Sequence, residues 1–290
     1  MNLKKALDNK NQFIITCELA PPKGTDVSNI ISLAKQVKGK VHAINLTDGQ
    51  GGNMRMCPLA CATFILKEDI DVIWQLTCRD RNRIGLQADC LGASALGVKN
   101  ILCMKGDDPK NGDNPDAKGV FDLDTTELVK MINGLNHGVD LAKKELVGKT
   151  NFCIGTPAHP NIPDLKKQYE TIKERFENGA SFIQTQISYD VEQIKRFIDS
   201  LGEFSHQTIL GITPLKGLKM AKFMDEKVFG VNVPQEIFKR LESSNNEQEE
   251  GLSISKEILD EVKKFGVRGI HIMAVGQESK LSEIVDFLQS

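Results

Sequence analysis

Asn100-Ile101-Leu102-Cys103-Met104-Lys105-Gly106-Asp107-Asp108-Pro109 is an apolar run cut short by a cation, a flexible glycine, two carboxylates and a proline. Residues 101–104 read as a buried strand. The stretch that follows, to about residue 124, is rich in Gly, Asp, Asn and Pro and has no periodicity. Connections in compact domains are short, and a long one is usually functional. The run therefore predicts a strand that delivers charged groups into a site, with a long loop beside it.

The same device recurs on both sides. Strands are expected at 13–18, 42–47 and 71–77, ending in Leu19-Ala20-Pro21-Pro22, Asp48-Gly49-Gln50-Gly51-Gly52 and Cys78-Arg79-Asp80-Arg81. The four strands begin near residues 13, 42, 71 and 100, and a spacing of about 30 residues is what one βα unit requires. Further strands are expected at 151–155, 181–186, 208–212 and 269–275. Helices are expected at 28–37, 58–66, 84–96, from 125 to 131, and at 164–178, 191–201, 216–224, 255–264 and 278–288. Residues 243–251, polar and acidic, read as a surface loop. Apolar strands alternating with helices argue for parallel pairing with helices outside. Eight strands close a barrel, and about 250 residues suffice for one. The expected fold is an α/β (β/α)8 TIM barrel in a single domain, 1–290, with a doubly wound open sheet as the alternative.

Of the 290 residues 40% are hydrophobic, enough for a sizeable core, and the net charge is −2 with both signs interspersed. That balance argues against nucleic acid or a membrane surface as partner. No apolar run approaches the roughly 18 residues that span a bilayer, and residues 1–11 lack the apolar core of a signal peptide. The seven cysteines, an odd number set mostly in apolar runs, read as reduced thiols of a cytoplasmic protein.

In a barrel the site lies at the carboxyl ends of the strands. Those ends supply Glu18, Thr47, Asp48, Thr77, Arg79, Lys105, Asp107, Asp108, His159, Gln186 and Ser188, although strand ends are polar wherever they meet water. Glu18 stands between Phe13-Ile14-Ile15, Cys17 and Leu19-Ala20-Pro21-Pro22. Apolar company raises a carboxyl pKa and suits a general acid; a solvated strand-end glutamate is the alternative. Asp107 and Asp108, with Asp113 and Asp116, could bind a metal, hold a cationic ring or cap a turn. The loop lacks the ligand spacing of an EF-hand, and no metal is expected. Gly49-Gln50-Gly51-Gly52 could bring backbone N–H groups to a phosphate, or be a plain turn; it does not fit G-x-G-x-x-G. Cys57 and Cys61 lack the further ligands of a zinc site and read as buried helix thiols. His42 and His271 read as satisfied core histidines, and His159, between Ala158 and Pro160 at a strand end, as a site candidate.

Taken in order, Glu18-Leu19-Ala20-Pro21-Pro22, Leu76-Thr77-Cys78, Gly97-Val98-Lys99-Asn100-Ile101-Leu102 running into Lys105-Gly106-Asp107-Asp108-Pro109, Pro157-Ala158-His159-Pro160, Asn178-Gly179-Ala180, Thr185-Gln186 with Asp190, and Gly211-Ile212-Thr213-Pro214 form a set. With this set the chain resembles methylenetetrahydrofolate reductases of the bacterial, single-domain type. The resemblance implies a barrel that holds a flavin, FAD with FMN as the alternative, and reduces 5,10-methylenetetrahydrofolate to 5-methyltetrahydrofolate in one-carbon metabolism and methionine biosynthesis. It implies Glu18 as the acid that opens the folate's five-membered ring, Asp107 as a catalytic contact to pterin and flavin, and Gln186 and Leu218 as folate contacts. Thr47, Gln75, Lys105, Gly106, Asp107, Thr156, His159, Thr171 and Arg175 fall where the family contacts its flavin.

The chain departs from the family's usual residues. Many members have His at the position of Gln75, Arg at Lys105 and Tyr at Thr156. Where many read Tyr-Thr-Leu-Asn-Arg, this chain reads Met273-Ala274-Val275-Gly276-Gln277, without the arginine that would hold the folate tail. The electron donor implied is NADH, NADPH or a reduced protein, with room for an accessory subunit and a homo-oligomer. Two other readings are a pterin-binding barrel methyltransferase without flavin and a redox subunit active only within a larger complex.

Overall fold

The computed structural model of the chain describes residues 2–228 and 230–290. Its strands are β1 (Ile14–Leu19), β2 (Ala43–Leu46), β3 (Val72–Thr77), β4 (Asn100–Met104), β5 (Cys153–Ala158), β6 (Phe182–Ile187), β7 (Thr208–Ile212) and β8 (Gly269–Ile272). They close into a barrel in chain order, every neighbouring pair parallel. Closure is made by β8 on β1, with Ile14 opposite Gly269 and Cys17 opposite Ile272. The expected (β/α)8 barrel is therefore the fold, and the open sheet is not.

Successive side chains of a strand point to opposite faces, which sorts the barrel's residues. Cys17, Leu19, Ile44, Leu46, Trp74 and Leu76 face outward into the helix layer and form the larger core. Ile14, Ala43, Ile73, Leu102, Phe182 and Ile209 face inward and form a separate apolar floor. Above that floor the inward residues become polar: Thr16, Asn45, Gln184 and His271 are buried and bonded to one another. Above them, at the carboxyl ends, Glu18 and Gln186 open onto a cavity. The floor itself is closed from below by a helix, Leu3–Asp8, whose Leu3 and Ala6 join the floor cluster. Arg268, just before β8, ties this helix down by donating to the carbonyls of Ala6, Leu7, Asn9 and Lys10 at 2.5–3.0 Å.

Three expectations need correction. The polar start of the chain contains the Leu3–Asp8 helix, invisible as a periodic run because only its buried face is apolar. Residues 243–251 are not a loop: one helix spans Gln235–Ser243, and another runs Glu247–Lys263. Asn246 caps the latter, and Glu247, Glu249 and Glu250 lie in its first turn, where the helix dipole favours acids. Gly251 sits inside that helix because a Cβ there would collide with the Leu215 carbonyl, so this glycine marks a close approach and not a stop. Finally, β5 continues past Gly155 to Ala158. Its pairing with β4 ends at Gly155, and only the β6 side continues, so Pro157 sits where the β4 side of the ladder has already ended.

Candidate active site

The carboxyl ends of the strands surround a cavity of about 1110 Å³. Glu18 stands on its floor. The apolar neighbours Cys17 and Leu19 face the helices, so the carboxylate does not sit in the apolar company that the sequence suggests. Its Oε2 accepts from Gln75 Nε2 at 3.2 Å and lies 3.7 Å from His271 Nε2. Its side chain keeps 13% exposure, toward the cavity.

The loop after β4 brings Asp107 to the rim. Asp107 Oδ2 accepts the Gly51 N–H at 2.7 Å, so the glycine-rich turn after β2 is engaged by a carboxylate of the neighbouring loop. Gly52 packs against Gly112 so closely that a side chain on Gly112 would strike the Gly52 carbonyl. Asp113 completes this clasp: it accepts the Met54 N–H at 2.9 Å and pairs with Lys23 from the loop after β1 at 2.5 Å. Lys23 and then the Met54 N–H hold the Asp113 carboxyl well below the ordinary carboxylate range. Asp108 caps its own turn by accepting from Lys110 N. Asp107, Asp108 and Asp113 therefore have local partners, and Asp107 and Asp113 join three strand-end loops.

Asp48, at the end of β2, is buried and accepts from the Thr77 N–H and hydroxyl and from Arg81. Arg79 donates to the Asp48 and Gly49 carbonyls. These bonds set the base of the clasp. Lys105 lies on the cavity wall with its ammonium 5.9 Å from the Phe121 ring.

On the opposite wall Arg175 reaches in from the helix Leu165–Glu177. It donates to Thr156 Oγ1 at 3.0 Å, to Thr126 Oγ1 at 3.2 Å and to the Pro157 carbonyl. No carboxylate pairs with it among the described residues. Burial lowers its pKa, yet a guanidinium remains charged in proteins. His159 is open to the cavity and still surrounded by its walls; that desolvation, with the nearby Arg175 charge, lowers its pKa. Thr171 lines the same wall, and Gln186 lines the β6 side.

The structure thus brings Glu18, Gln75, Lys105, Gly106, Asp107, His159, Thr171, Arg175 and Gln186 to one cavity. Three expected contacts lie elsewhere. Thr47 is buried with its hydroxyl unpartnered and does not line the cavity, and Thr156 points outward to Arg175. Leu218 begins the helix Leu218–Lys227 and packs on the core, while Lys227 and Val228 line the cavity on that side. Gln277, at the position of the missing arginine, is buried and bonded to the Pro214 carbonyl and to Gln248.

His42 is satisfied as expected, between Ile15 and Gln12. His271 is likewise buried and satisfied, by Thr16 and Asn45, and it also lies 3.7 Å from Glu18. Cys57 is exposed and only Cys61 is buried, its thiol pushed up to about 11. Sequence reasoning missed the polar tier of Thr16, Asn45, Gln184 and His271. Its signal is a polar residue at the inward position two after the apolar floor residue, Thr16 after Ile14, Asn45 after Ala43 and Gln184 after Phe182.

The comparisons with known proteins agree with this architecture. The family model described as methylenetetrahydrofolate reductase matches residues 2–289. Methylenetetrahydrofolate reductase 2 of Schizosaccharomyces pombe is 26% identical over 98% of this chain and 46% of its own length. A probable methylenetetrahydrofolate reductase (NADPH) of Caenorhabditis elegans is 22% identical over 99% of this chain and 43% of its own. The chain spans about half the length of these relatives. The 5,10-methylenetetrahydrofolate reductase of Pectobacterium carotovorum is 22% identical over 91% of this chain and 86% of its own. Among solved structures, an uncharacterised Clostridium thermocellum protein that binds two copies of 5-methyl-5,6,7,8-tetrahydrofolic acid shares the fold. It has a TM-score of 0.68 and 17% identity, over 99% of this chain and 97% of that one. With a family match that takes in nearly every residue of the barrel, the chain belongs to the methylenetetrahydrofolate reductase family.

Proposed function

We propose that the chain is a flavin-dependent reductase that converts 5,10-methylenetetrahydrofolate to 5-methyltetrahydrofolate. The observation that carries this reading is an acid, Glu18, standing on the floor of a large strand-end cavity. Ligand pockets span roughly 300–1,000 Å³; this cavity is about 1110 Å³. The lining suits a flavin. Arg175 offers a guanidinium free of carboxylates, Lys105 a second cation, His159 and Thr171 polar edges, and Leu102, Met104, Ile172 and Met273 apolar wall. These residues would hold the flavin, and the chemistry supplied there would be storage of an electron pair from a donor and its delivery as hydride to the one-carbon unit.

The residues of the chain do the rest. The methylene carbon is bonded to two nitrogens, and one must leave before hydride can enter. It leaves better as a neutral amine, so Glu18 gives it a proton, contributing roughly 10²–10⁴-fold. Glu18 Oε2 is already engaged by Gln75, which leaves Oε1 for the substrate. Asp107 keeps Gly51 on Oδ2 and offers Oδ1 to the pterin, and Gln186 offers its amide. We read residues 1–290 as one catalytic barrel that takes FAD or FMN.

The visible spectrum of purified protein tests the assignment. A non-covalent yellow chromophore, released by denaturation, is expected, as is oxidation of the reduced holoenzyme by methylenetetrahydrofolate. A colourless protein that neither FAD nor FMN reconstitutes would leave methyl transfer without flavin as the better reading. Reduction of the flavin by NADH, NADPH or a reduced protein then identifies the donor.

A further inference from the structure

We propose that Gln75 and His271 are positioning residues for Glu18: both act on Oε2 and leave Oε1 as the oxygen that presents the proton. The inference rests on the proposed function for its kinetics, but its geometry stands apart from it. Gln75 Nε2 donates to Oε2 at 3.2 Å, and His271 Nε2 lies 3.7 Å from the same atom. No hydrogen bond to Oε1 forms among the described residues, and Glu18 is exposed only toward the cavity.

His271 is itself held. It is fully buried. Its Nδ1 meets Thr16 Oγ1 at 3.0 Å, and Asn45 Nδ2 lies 3.3 Å from both ring nitrogens. Asn45 in turn donates to Gln184 Oε1 at 2.6 Å. Barrel interiors are normally filled by branched aliphatic side chains. Here β1, β2, β6 and β8 each spend an inward position on a polar side chain, and buried polar groups need partners. The chain of contacts runs from Gln184 through Asn45 and His271 to Glu18, where it meets the cavity. A tier whose only role was to fill the barrel would have no need to end on the one carboxylate of its floor. Gln75, an amide, can only steady the carboxylate; it carries no titratable proton. Gln75 reaches Glu18 from β3, beyond the intervening β2, and His271 from the adjacent β8, so Glu18 is approached from both sides of β1.

The test is a double-mutant cycle on flavin-loaded protein. Gln75→Met keeps length and removes the donor; His271→Asn keeps a polar group for Thr16 and shortens the reach to Glu18. Misplacing a catalytic group can cost about 100-fold, so each single substitution should lower kcat for methylenetetrahydrofolate reduction at least about tenfold. KM should stay within about threefold in both, with rates taken per bound flavin, and flavin affinity should stay within about threefold in His271→Asn, whose side chain does not line the cavity. In a Glu18→Gln background neither substitution should lower the residual rate further, because there is no longer a proton to position. A further loss as large as in wild type, or no loss in either single variant, overturns the proposal. Gln75→Met lies in the cavity wall and keeps the cycle usable if His271→Asn fails to fold. A second measurement needs no activity. The His271 ring signals, assigned among the five histidines by their loss in His271→Asn, should shift in Glu18→Gln and in Gln75→Met. If wild-type holoenzyme reduces no methylenetetrahydrofolate, the proposed function falls while the ring signals still decide the contact. Ring signals unmoved by Glu18→Gln overturn it.

Discussion

At the smallest scale the proposed chemistry rests on Glu18, and its test separates acid catalysis from cofactor placement. Glu18→Gln keeps the size and the acceptor for Gln75 Nε2 and removes the proton. The expected outcome is a folate half-reaction slowed by at least about a hundredfold, with flavin reduction by its own donor nearly unchanged. Flavin absorbance followed in stopped flow times the two halves; equal slowing of both would point to a misplaced flavin. The position of Glu18 was legible in the sequence, since strand-end residues of a barrel face the cavity. Its surroundings were not. Residues adjacent in a strand face opposite ways, so the apolar neighbours that bracket Glu18 in sequence belong to the helix layer, and its contacts, Gln75 and His271, come from 57 and 253 residues away. The direction of Thr156 follows the same rule. The extension of β5 past Gly155 fixes its side chain outward, where it holds Arg175.

Elements were legible where their periodicity is strong. The eight strands and most outer helices follow the apolar runs, whereas the Leu3–Asp8 helix and the Gln235–Ser243 and Glu247–Lys263 pair escaped because their buried faces are narrow and their acids resemble a solvated loop. The first of these supports the barrel floor. Leu3 is fully buried against Ile14, Ile73 and Phe182, so Leu3→Ala should cost about 2–5 kcal/mol, read as a lower urea midpoint at unchanged slope. An unchanged midpoint would mean that the helix merely rests on the barrel. The clasp between strand-end loops makes a pH prediction. Asp113 has a folded pKa below its unfolded value, because Lys23 and the Met54 N–H favour the carboxylate. Such a group contributes its stabilisation fully above its unfolded pKa of about 3.9 and loses it as the pH falls toward the folded value. Protection of the Met54 amide from hydrogen exchange, corrected for intrinsic rate, should therefore hold at neutral pH and fall below about pH 4. Asp113→Asn should show the low protection already at neutral pH; equal protection in that variant would assign the clasp to the Gly52–Gly112 packing alone.

The barrel as a whole divides its interior into an apolar floor, a polar middle tier and an open top. The first gives stability, the second orients one acid, and the third receives ligands. Ligand occupancy should therefore feed back on the stability of the whole molecule. A ligand bound only by the native state at 100 times its Kd adds about 2.7 kcal/mol. For a domain of this size one kcal/mol moves Tm by roughly 2–4 °C or slightly less, so saturating FAD should raise Tm by about 4–8 °C. The wall residue that should carry much of this linkage is Arg175. Its guanidinium has only the neutral acceptors Thr126, Thr156 and Pro157, and an anionic group of the cofactor would supply the missing charge. Arg175→Gln removes that charge and keeps an amide for Thr156. It should leave the Tm of the flavin-free protein within about 2 °C, since no ion pair is broken, while the shift produced by FAD falls to less than half. A titration of Tm against FAD concentration separates the two effects, because weaker binding moves the curve along the concentration axis and a damaged fold lowers its starting point. A full FAD-induced shift in Arg175→Gln would assign the guanidinium to β5 and its helix, and leave Lys105 as the cation that meets the cofactor.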